Sequence, residues 1–212
     1  MSDTAYPIGK YPPVNQDQFL GWRAIAIQAY ANLEVSLTLL FAKLLGIEAD
    51  LAGLVLYRIA STHTRTRILR DLYSKKHGEA YSPFWKSLLS FIRTLDQRRN
   101  EIVHWHVVNN INLALNHKDA SRLSLAPPTG WAMQSTASIA ETELKDFVQR
   151  CDFAHRLLNM FSVVLHDPVV TADVRERWLK IFEEPVTYPP PDTHPLSPNY
   201  KAPENPPQPS EG

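Results

Sequence analysis

One short stretch of the chain, Leu95 to His106, combines basic, titratable, amide and carboxylate side chains. A guanidinium stays protonated and can hold a phosphate through two hydrogen bonds, whereas imidazole exchanges protons near neutral pH. Arg99 and His104 supply these two groups, and Asn100 adds an amide next to the arginine. Because packing alone requires none of these side chains, their spacing favours chemistry on an anionic ligand such as a phosphate.

The helix that carries these residues is predicted to begin at Ser82, an N-cap residue followed by proline at the first helical position. Arg99 falls in the middle of its apolar stripe, where the pattern predicts a leucine. Asn100 and His104 lie one turn apart on the flank of that stripe. We therefore expect the three side chains on one side of the helix end. The apolar residues of the stripe are Trp85, Leu88, Leu89, Ile92, Leu95, Ile102 and Val103.

Arg99 also has a purely structural interpretation. A guanidinium inside a bundle has to be paired. Glu34 lies close to the apolar face of the first predicted helix, and Asp96 shares a helix with Arg99. An ion pair of Arg99 with either carboxylate would hold the bundle together, and this alternative stays open.

Two histidines near the helix end are candidates for metal binding. His104 and His106 form a His-x-His pair, which would share one face of a strand. No further cysteine, histidine or carboxylate lies at a suitable spacing, and one pair does not make a zinc site. We predict neither a metal nor a cofactor, and we assign His106 and Arg98 supporting or incidental roles.

Composition sets the class of protein. The 212 residues are 44% hydrophobic, with 22 basic and 22 acidic side chains and no net charge, so no overall basic field is expected. The single cysteine, Cys151, cannot form an internal disulfide, and the first residues lack the pattern of a signal peptide. No run approaches the roughly 18 uninterrupted apolar residues of a membrane span. We expect a cytoplasmic protein with no membrane role.

Periodicity predicts a mainly α protein. An extended lead-in covers residues 1–14, and one helical domain covers residues 15–183, with a small β-hairpin at about 106–126. Ten of the 17 prolines follow Glu184, so residues 184–212 are predicted to form a disordered, polyproline-like tail. The predicted helices are 16–45, 49–76 with a kink or break near 61–67, 82–105, 140–165 and 171–183.

A basic segment lies in the second predicted helix. Between Arg58 and Lys76 there are six basic residues against one acid, Asp71. These side chains either contact RNA phosphates or form a solvated cationic face, and the segment alone favours the solvated face. The candidate RNA contacts are Arg58, Arg65, Arg67 and Arg70.

The segment Arg99-Asn100-Glu101-Ile102-Val103-His104 resembles the Arg-x4-His signature of the HEPN superfamily (higher eukaryotes and prokaryotes nucleotide-binding domain). The resemblance extends over about residues 16–166: a long first helix with an internal Glu34, the motif at the end of a later helix, and a hairpin before the next. It implies a four- to five-helix HEPN-like bundle with a hairpin inserted after the third helix. Trp105 departs from the pattern, because a small residue often follows the histidine.

The resemblance further implies a metal-independent endoribonuclease that works as a homodimer, with the motifs of both protomers facing one cleft. His104 would act as general acid or base on the ribose 2′-OH or the leaving oxygen. Arg99 would neutralise the scissile phosphate, and Asn100 would orient the phosphate or His104. Such proteins often serve as toxins or as abortive-infection and other antiphage-defence effectors restrained by an antitoxin or another protein partner. Two alternatives remain: a catalytically inactive HEPN-like dimer that binds a nucleotide or a protein, and a plain helical interaction domain.

Overall fold

The computed structural model describes residues 15–59, 61–109, 123–128 and 137–201. The predicted lead-in at 1–14, the turn of the predicted hairpin and the end of the predicted tail lie outside these residues.

Helices dominate the described part of the chain, where six of them are found. They are α1 Gln16–Leu45, α2 Ala49–Arg58, α3 Thr62–His77, α4 Ser82–His104, α5 Glu141–His166 and α6 Ala172–Glu183. The prediction of a mainly α protein is confirmed. Gly46, at φ 69°, follows the last residue of α1, because glycine tolerates the left-handed conformation that ends many helices.

The second predicted helix consists of two helices. α2 ends at Arg58, and the hydroxyl of Ser61 accepts a hydrogen bond of 3.3 Å from the backbone N–H of Thr64 to cap α3. A serine side chain competes with the backbone inside a helix and stabilises a helix start. The polar stretch therefore marks a helix start at Thr62, slightly before the middle of the predicted kink.

A small antiparallel sheet follows α4. Its strands are β1 His106–Asn109, β2 Leu123–Ala126 and β3 Ile139–Ala140, in the order β1-β2-β3. β1 pairs with β2 from His106 opposite Ala126 to Asn109 opposite Leu123. The two strands of the predicted hairpin are thus found. β3 was not predicted, since two residues are too few to show an alternating pattern.

The chain divides into two compact units. Unit 1 comprises residues 1–28 and 99–148, and unit 2 comprises residues 29–98 and 149–212. The described part of unit 1 holds the start of α1, the end of α4, the sheet and the start of α5. Its buried apolar side chains are Phe19, Ala26, Ile102, Leu123, Leu125, Ile139, Leu144 and Phe147.

Unit 2 has an aromatic core. Trp85 stacks on Phe161 with ring centroids 5.5 Å apart, and Phe84 lies 4.8 Å from Phe182. Each such pair contributes roughly 0.5–1.5 kcal/mol beyond the area that it buries. α4, α5 and α6 supply these rings, and Tyr73 of α3 lies 5.0 Å from Trp85, so the core fixes the mutual positions of α3 and the first part of α4.

Residues 184–201 correct the prediction of a disordered tail. The backbone N–H of Val186 donates to the Ser87 hydroxyl at 2.7 Å, and the Tyr188 ring stacks on Phe91 at 5.8 Å. The guanidinium of Arg150 lies 4.8 Å from the centre of the Tyr188 ring. Proline-rich composition describes a backbone without regular hydrogen bonding, but aromatic side chains between the prolines still bury themselves against helices. Residues 202–212 lie outside the described residues.

α1 also qualifies the expectation about membranes. Among the described helices it is long and apolar enough to cross a membrane by length and composition. The buried core helix of a soluble protein passes the same test, so this finding is weak evidence for a span. Polar residues interrupt the apolar run, as the sequence indicates, without making the helix polar on average.

Candidate functional site

The end of α4 is anchored in unit 1 by Arg23 of α1. Its Nε donates to the carbonyl oxygen of Ile102, and its Nη2 donates to those of Val103 and Trp105, each at 2.9 Å. The last carbonyls of a helix have no partner within the helix, and a cation at that end interacts favourably with the helix dipole. Arg23 therefore holds in place the turn that carries His104.

Arg99 and Asn100 are in direct contact. Nη1 of Arg99 donates to Oδ1 of Asn100 at 3.1 Å. Arg99 is half-buried, and Asn100 and His104 are exposed. His104 follows Asn100 by one helical turn on the same side of α4. A guanidinium, an amide and an imidazole thus lie on the solvent-accessible side of one helix end, a set that can bind a phosphate and exchange a proton.

Glu34 has a partner that the sequence did not predict. Its Oε1 lies 3.0 Å from Nη1 of Arg65, and Nε of Arg65 donates to the carbonyl oxygen of Ile59 at 2.6 Å. Both charged side chains are about one-fifth exposed. Arg65, predicted as a candidate RNA contact, therefore closes the junction between α2 and α3 against α1. Glu34 plays a structural role in unit 2.

Asp96 likewise serves unit 2. Its Oδ1 accepts a hydrogen bond of 2.8 Å from the Tyr30 hydroxyl and one of 3.0 Å from the Thr62 hydroxyl. These bonds join α1, α3 and α4. The carboxylate is thus engaged by neutral donors, which satisfy its oxygen without an arginine.

The remaining predicted site residues lie on four different elements. Arg98 is half-buried on α4, and His106 is half-buried on β1 opposite Ala126. Arg58 is exposed at the end of α2. Arg67 and Arg70 are exposed on α3 and line a groove against α4.

A second contact set in unit 1 stabilises the start of α5. The carboxylate of Glu141 lies 2.7 Å from Nζ of Lys145 and accepts a hydrogen bond of 2.9 Å from Gln18. The hydrogen bond from Lys145 lowers the pKa of Glu141. Nζ of Lys145 lies 5.0 Å from the centre of the Trp22 ring, within range of a cation–π contact. α1 and α5 are thereby joined next to Arg23.

Sequence reasoning missed Arg23 and the Glu141 contacts. The one available signal for Arg23 was a charged residue beside Trp22 within an otherwise apolar helix. Such a position indicates a buried partner but does not identify it, because backbone carbonyls leave no mark in the sequence. Among the described residues, no group of three or more histidine, cysteine, aspartate or glutamate side chains could hold a metal ion.

Comparison with known proteins adds no relative. No protein-family model matches this chain, and no curated protein or solved structure shows significant similarity to it.

Proposed function

We propose that this chain is a HEPN-like, metal-independent endoribonuclease that uses Arg99, Asn100 and His104. The observation that supports the proposal best is the contact between Arg99 and Asn100 at an accessible helix end that also presents His104. Glu34 and Asp96 make their described contacts with Arg65, Tyr30 and Thr62.

The reaction uses the ribose of the substrate as its nucleophile. His104 takes the proton of a 2′-OH, the 2′-oxygen attacks the adjacent phosphorus, and the bond to the 5′-oxygen breaks. That oxygen takes up a proton, which leaves a 2′,3′-cyclic phosphate and a 5′-hydroxyl. Arg99 neutralises the charge that develops on the phosphate, and Asn100 fixes the orientation of the guanidinium. RNA is cleaved and DNA is not, because DNA lacks the 2′-OH.

Arg23 and Trp105 shape the site in this proposal. Arg23 is a positioning residue, since it acts on His104 through the carbonyls at the end of α4. Trp105 is half-buried directly after His104, where the superfamily often has a small residue. Its indole narrows the approach to the imidazole and can stack on a base of the substrate.

The proposal includes a homodimer, and unit 2 offers an apolar surface for it. The surface lies on α1 and α2, and its charged ends are Asp50 and Arg58, with Leu54 midway between them. Exposed apolar patches of this kind mark interaction sites. Its exposed apolar members are Val35, Leu39, Leu51, Leu54, Val55 and Tyr57, between 42% and 63% exposed.

The charges favour a second copy of this chain as the occupant. In a two-fold interface residue i meets residue j, and residue j meets residue i. If two α2 helices cross antiparallel at Leu54, Asp50 of each copy meets Arg58 of the other. The surface is therefore complementary to the same surface of a second copy, because helix packs on helix and opposite charges meet.

A charge exchange tests the dimer. Asp50→Arg and Arg58→Asp should each weaken self-association, because each brings like charges together, and the double variant should restore it. Light scattering across a concentration series measures the mass, with Lys75→Glu as a control that changes a charge elsewhere. A monomeric wild type, or a double variant weaker than both single variants, contradicts this interface.

A cleavage assay tests the enzyme. Wild type, His104→Ala and Gln97→Ala are incubated with a mixed panel of RNAs in the presence of a chelator. Gln97 is an exposed residue of α4 outside the proposed site, so its variant controls for handling and folding. We expect cleavage by the wild type and Gln97→Ala only. Equal cleavage by all three proteins contradicts the site, and absence of cleavage across a broad panel contradicts the enzyme in favour of a catalytically inactive dimer that binds nucleotide or protein.

The biological setting is also proposed from the resemblance. A ribonuclease of this kind acts in the cytoplasm as a toxin or antiphage-defence effector, and it requires an inhibitory partner in cells that survive its synthesis. Expression of the wild type should therefore slow growth, whereas expression of His104→Ala at equal level should not.

A further inference from the structure

Unit 2 contains a basic groove between α3 and α4, with a volume of about 270 Å³. Each helix contributes one stripe of four residues at helical spacing to its walls. The α3 stripe consists of His63, Thr66, Arg67 and Arg70, and the α4 stripe consists of Lys86, Leu89, Ser90 and Arg93. The two stripes face one another across the groove.

The groove has an apolar floor and charged walls. Thr66 and Leu89, 7% and 9% exposed, form the floor, and the four basic residues are exposed. The Thr66 hydroxyl donates back to the carbonyl oxygens of Thr62 and His63 at 3.0 Å. The polar atom of the floor is thus satisfied within α3, so the walls supply the binding groups.

Among the described residues, no carboxylate lines the groove. Arg70 pairs with its neighbour Asp71 at 3.1 Å, and both side chains are more than half exposed. Lys86 lies 4.0 Å from the well-exposed Glu79. Exposed pairs of this kind contribute little, and a ligand displaces them at small cost. Within the described ranges, Arg67 and Arg93 make no ion pair.

The dimensions favour a chain of phosphates as the ligand. Each stripe runs over eight residues, and its first and last residues lie about 10 Å apart along a helix axis. One strand of nucleic acid places a phosphate about every 3.4 Å along its axis in duplex form, so about four phosphates fit this length. Guanidinium groups bind phosphates through paired hydrogen bonds, and a concave track suits a strand better than it suits a flat lipid surface.

We propose that the groove between α3 and α4 binds the backbone of single-stranded RNA through Arg67, Arg70, Lys86 and Arg93. This inference rests on the proposed function in that RNA is the substrate. It assigns a role to Lys86 and Arg93, which the sequence did not single out. It also separates Arg67 and Arg70, which line the groove, from Arg65, which has a structural role.

The test measures binding without cleavage. The probe is a fluorescein-labelled 2′-O-methyl oligoribonucleotide of mixed sequence, which has no free 2′-OH and cannot be cleaved by the proposed reaction. Fluorescence anisotropy follows its binding to the full chain over a range of salt concentrations. Neutralisation of four cations predicts a slope of log K against log salt of about −2.8 for a single strand.

The decisive variant is Arg67→Ala with Arg93→Ala, and the matched control is Lys75→Ala with Arg156→Ala. The control removes the same charge from exposed positions outside the groove. We expect the groove variant to bind at least about tenfold more weakly, with its slope reduced to about −1.4, and the control to bind within about twofold of the wild type. Circular dichroism shows whether each variant is folded.

Three results overturn the inference: a groove variant that binds like the wild type, a control that loses as much affinity as the groove variant, and a wild type that binds an acidic peptide of equal charge as well as the oligonucleotide. The outcome is independent of the cleavage assay. Groove-dependent binding without cleavage supports the groove and contradicts the enzyme, and cleavage with an indifferent groove variant does the reverse.

Discussion

Two groups of described arginines differ in what they contact. Arg23 in unit 1 and Arg65 in unit 2 donate hydrogen bonds to protein oxygens. Arg23 binds three backbone carbonyls, and Arg65 binds one carboxylate and one carbonyl. Arg67 and Arg93 of unit 2 are exposed on the walls of a groove. The partner of a guanidinium, more than its place in the sequence, therefore separates structural arginines from those that we propose bind a ligand.

The two candidate binding regions also differ in the chemical groups that they present. The end of α4 in unit 1 combines an imidazole with a guanidinium and an amide, whereas the groove in unit 2 combines His63 with four cations and, among the described residues, no carboxylate. The first region is proposed to exchange a proton with the substrate, and the second is proposed to hold the substrate backbone. Substitutions should affect turnover in the first region and affinity in the second.

The largest effect is expected at His104. Replacement by alanine removes the group that we propose exchanges protons, so the rate of cleavage should fall by about 10²- to 10⁴-fold. The free energy of unfolding should change by less than about 0.5 kcal/mol, because the side chain is exposed. Single-turnover cleavage and urea denaturation measure the two quantities. A large loss of stability would instead indicate a structural role for His104.

The next largest effect is expected for Arg23→Met, which replaces one of the arginines that bind protein oxygens. The substitution keeps an unbranched side chain and leaves three carbonyls at the end of α4 without their donor, which should lower the free energy of unfolding by about 2–4 kcal/mol. Urea denaturation gives the value, and Arg67→Met is the matched control on an exposed arginine. Equal stability of the two variants would remove the distinction between anchored and exposed arginines.

Arg65→Ala should have a smaller effect. It leaves Glu34 without its charged partner, but both groups are partly exposed, so the expected loss of stability is about 1 kcal/mol. RNA binding by the folded variant should stay close to that of the wild type. Anisotropy with the uncleavable oligonucleotide distinguishes this outcome from that of a groove residue.

The smallest effect concerns pH. Burial lowers the pKa of His77, and nearby Lys76 adds to the shift, whereas burial lowers the pKa of His166 with contributions from Lys76, His77 and Lys43. Lowered pKa values mean that the folded state favours the neutral rings. Stability should therefore be full above about pH 6.5, the usual value of an unfolded histidine, and fall as the pH drops below it.

Thermal unfolding at pH 7.5 and pH 5.5 checks this prediction. The wild type should have the lower Tm at pH 5.5, and His166→Asn should show a smaller difference, since one buried base is removed. Both pH values lie above the range in which the lowered pKa of Glu141 would matter. A wild type that is more stable at pH 5.5 would reverse the sign and contradict the burial of neutral rings.

Much of the fold followed from periodicity. The bounds of α1 agree with the prediction. Arg99, which the pattern placed in the middle of the apolar stripe of α4, is half-buried and contacts Asn100. Long helices with one apolar face repeat their signal many times, so these predictions accumulate evidence along the chain. The hairpin strands were found for a similar reason, since alternating apolar and polar residues indicated them.

The parts that could not be predicted depend on contacts between distant residues. Arg23 binds carbonyl oxygens, and every residue has one, so no pattern identifies its partners. Tyr188 orders part of the proline-rich segment by packing against Phe91, which composition cannot express. Glu34 could pair with several arginines, and the tertiary structure selects Arg65.

The products of cleavage test the central claim most directly. An RNA of defined sequence is incubated with the wild type in chelator, and mass spectrometry identifies the new ends. We predict a 2′,3′-cyclic phosphate on one fragment and a 5′-hydroxyl on the other, and no cleavage at a position where a single 2′-deoxy nucleotide replaces the ribose. A 3′-hydroxyl with a 5′-phosphate, or cleavage at the 2′-deoxy position, would contradict a reaction driven by His104 through the 2′-OH.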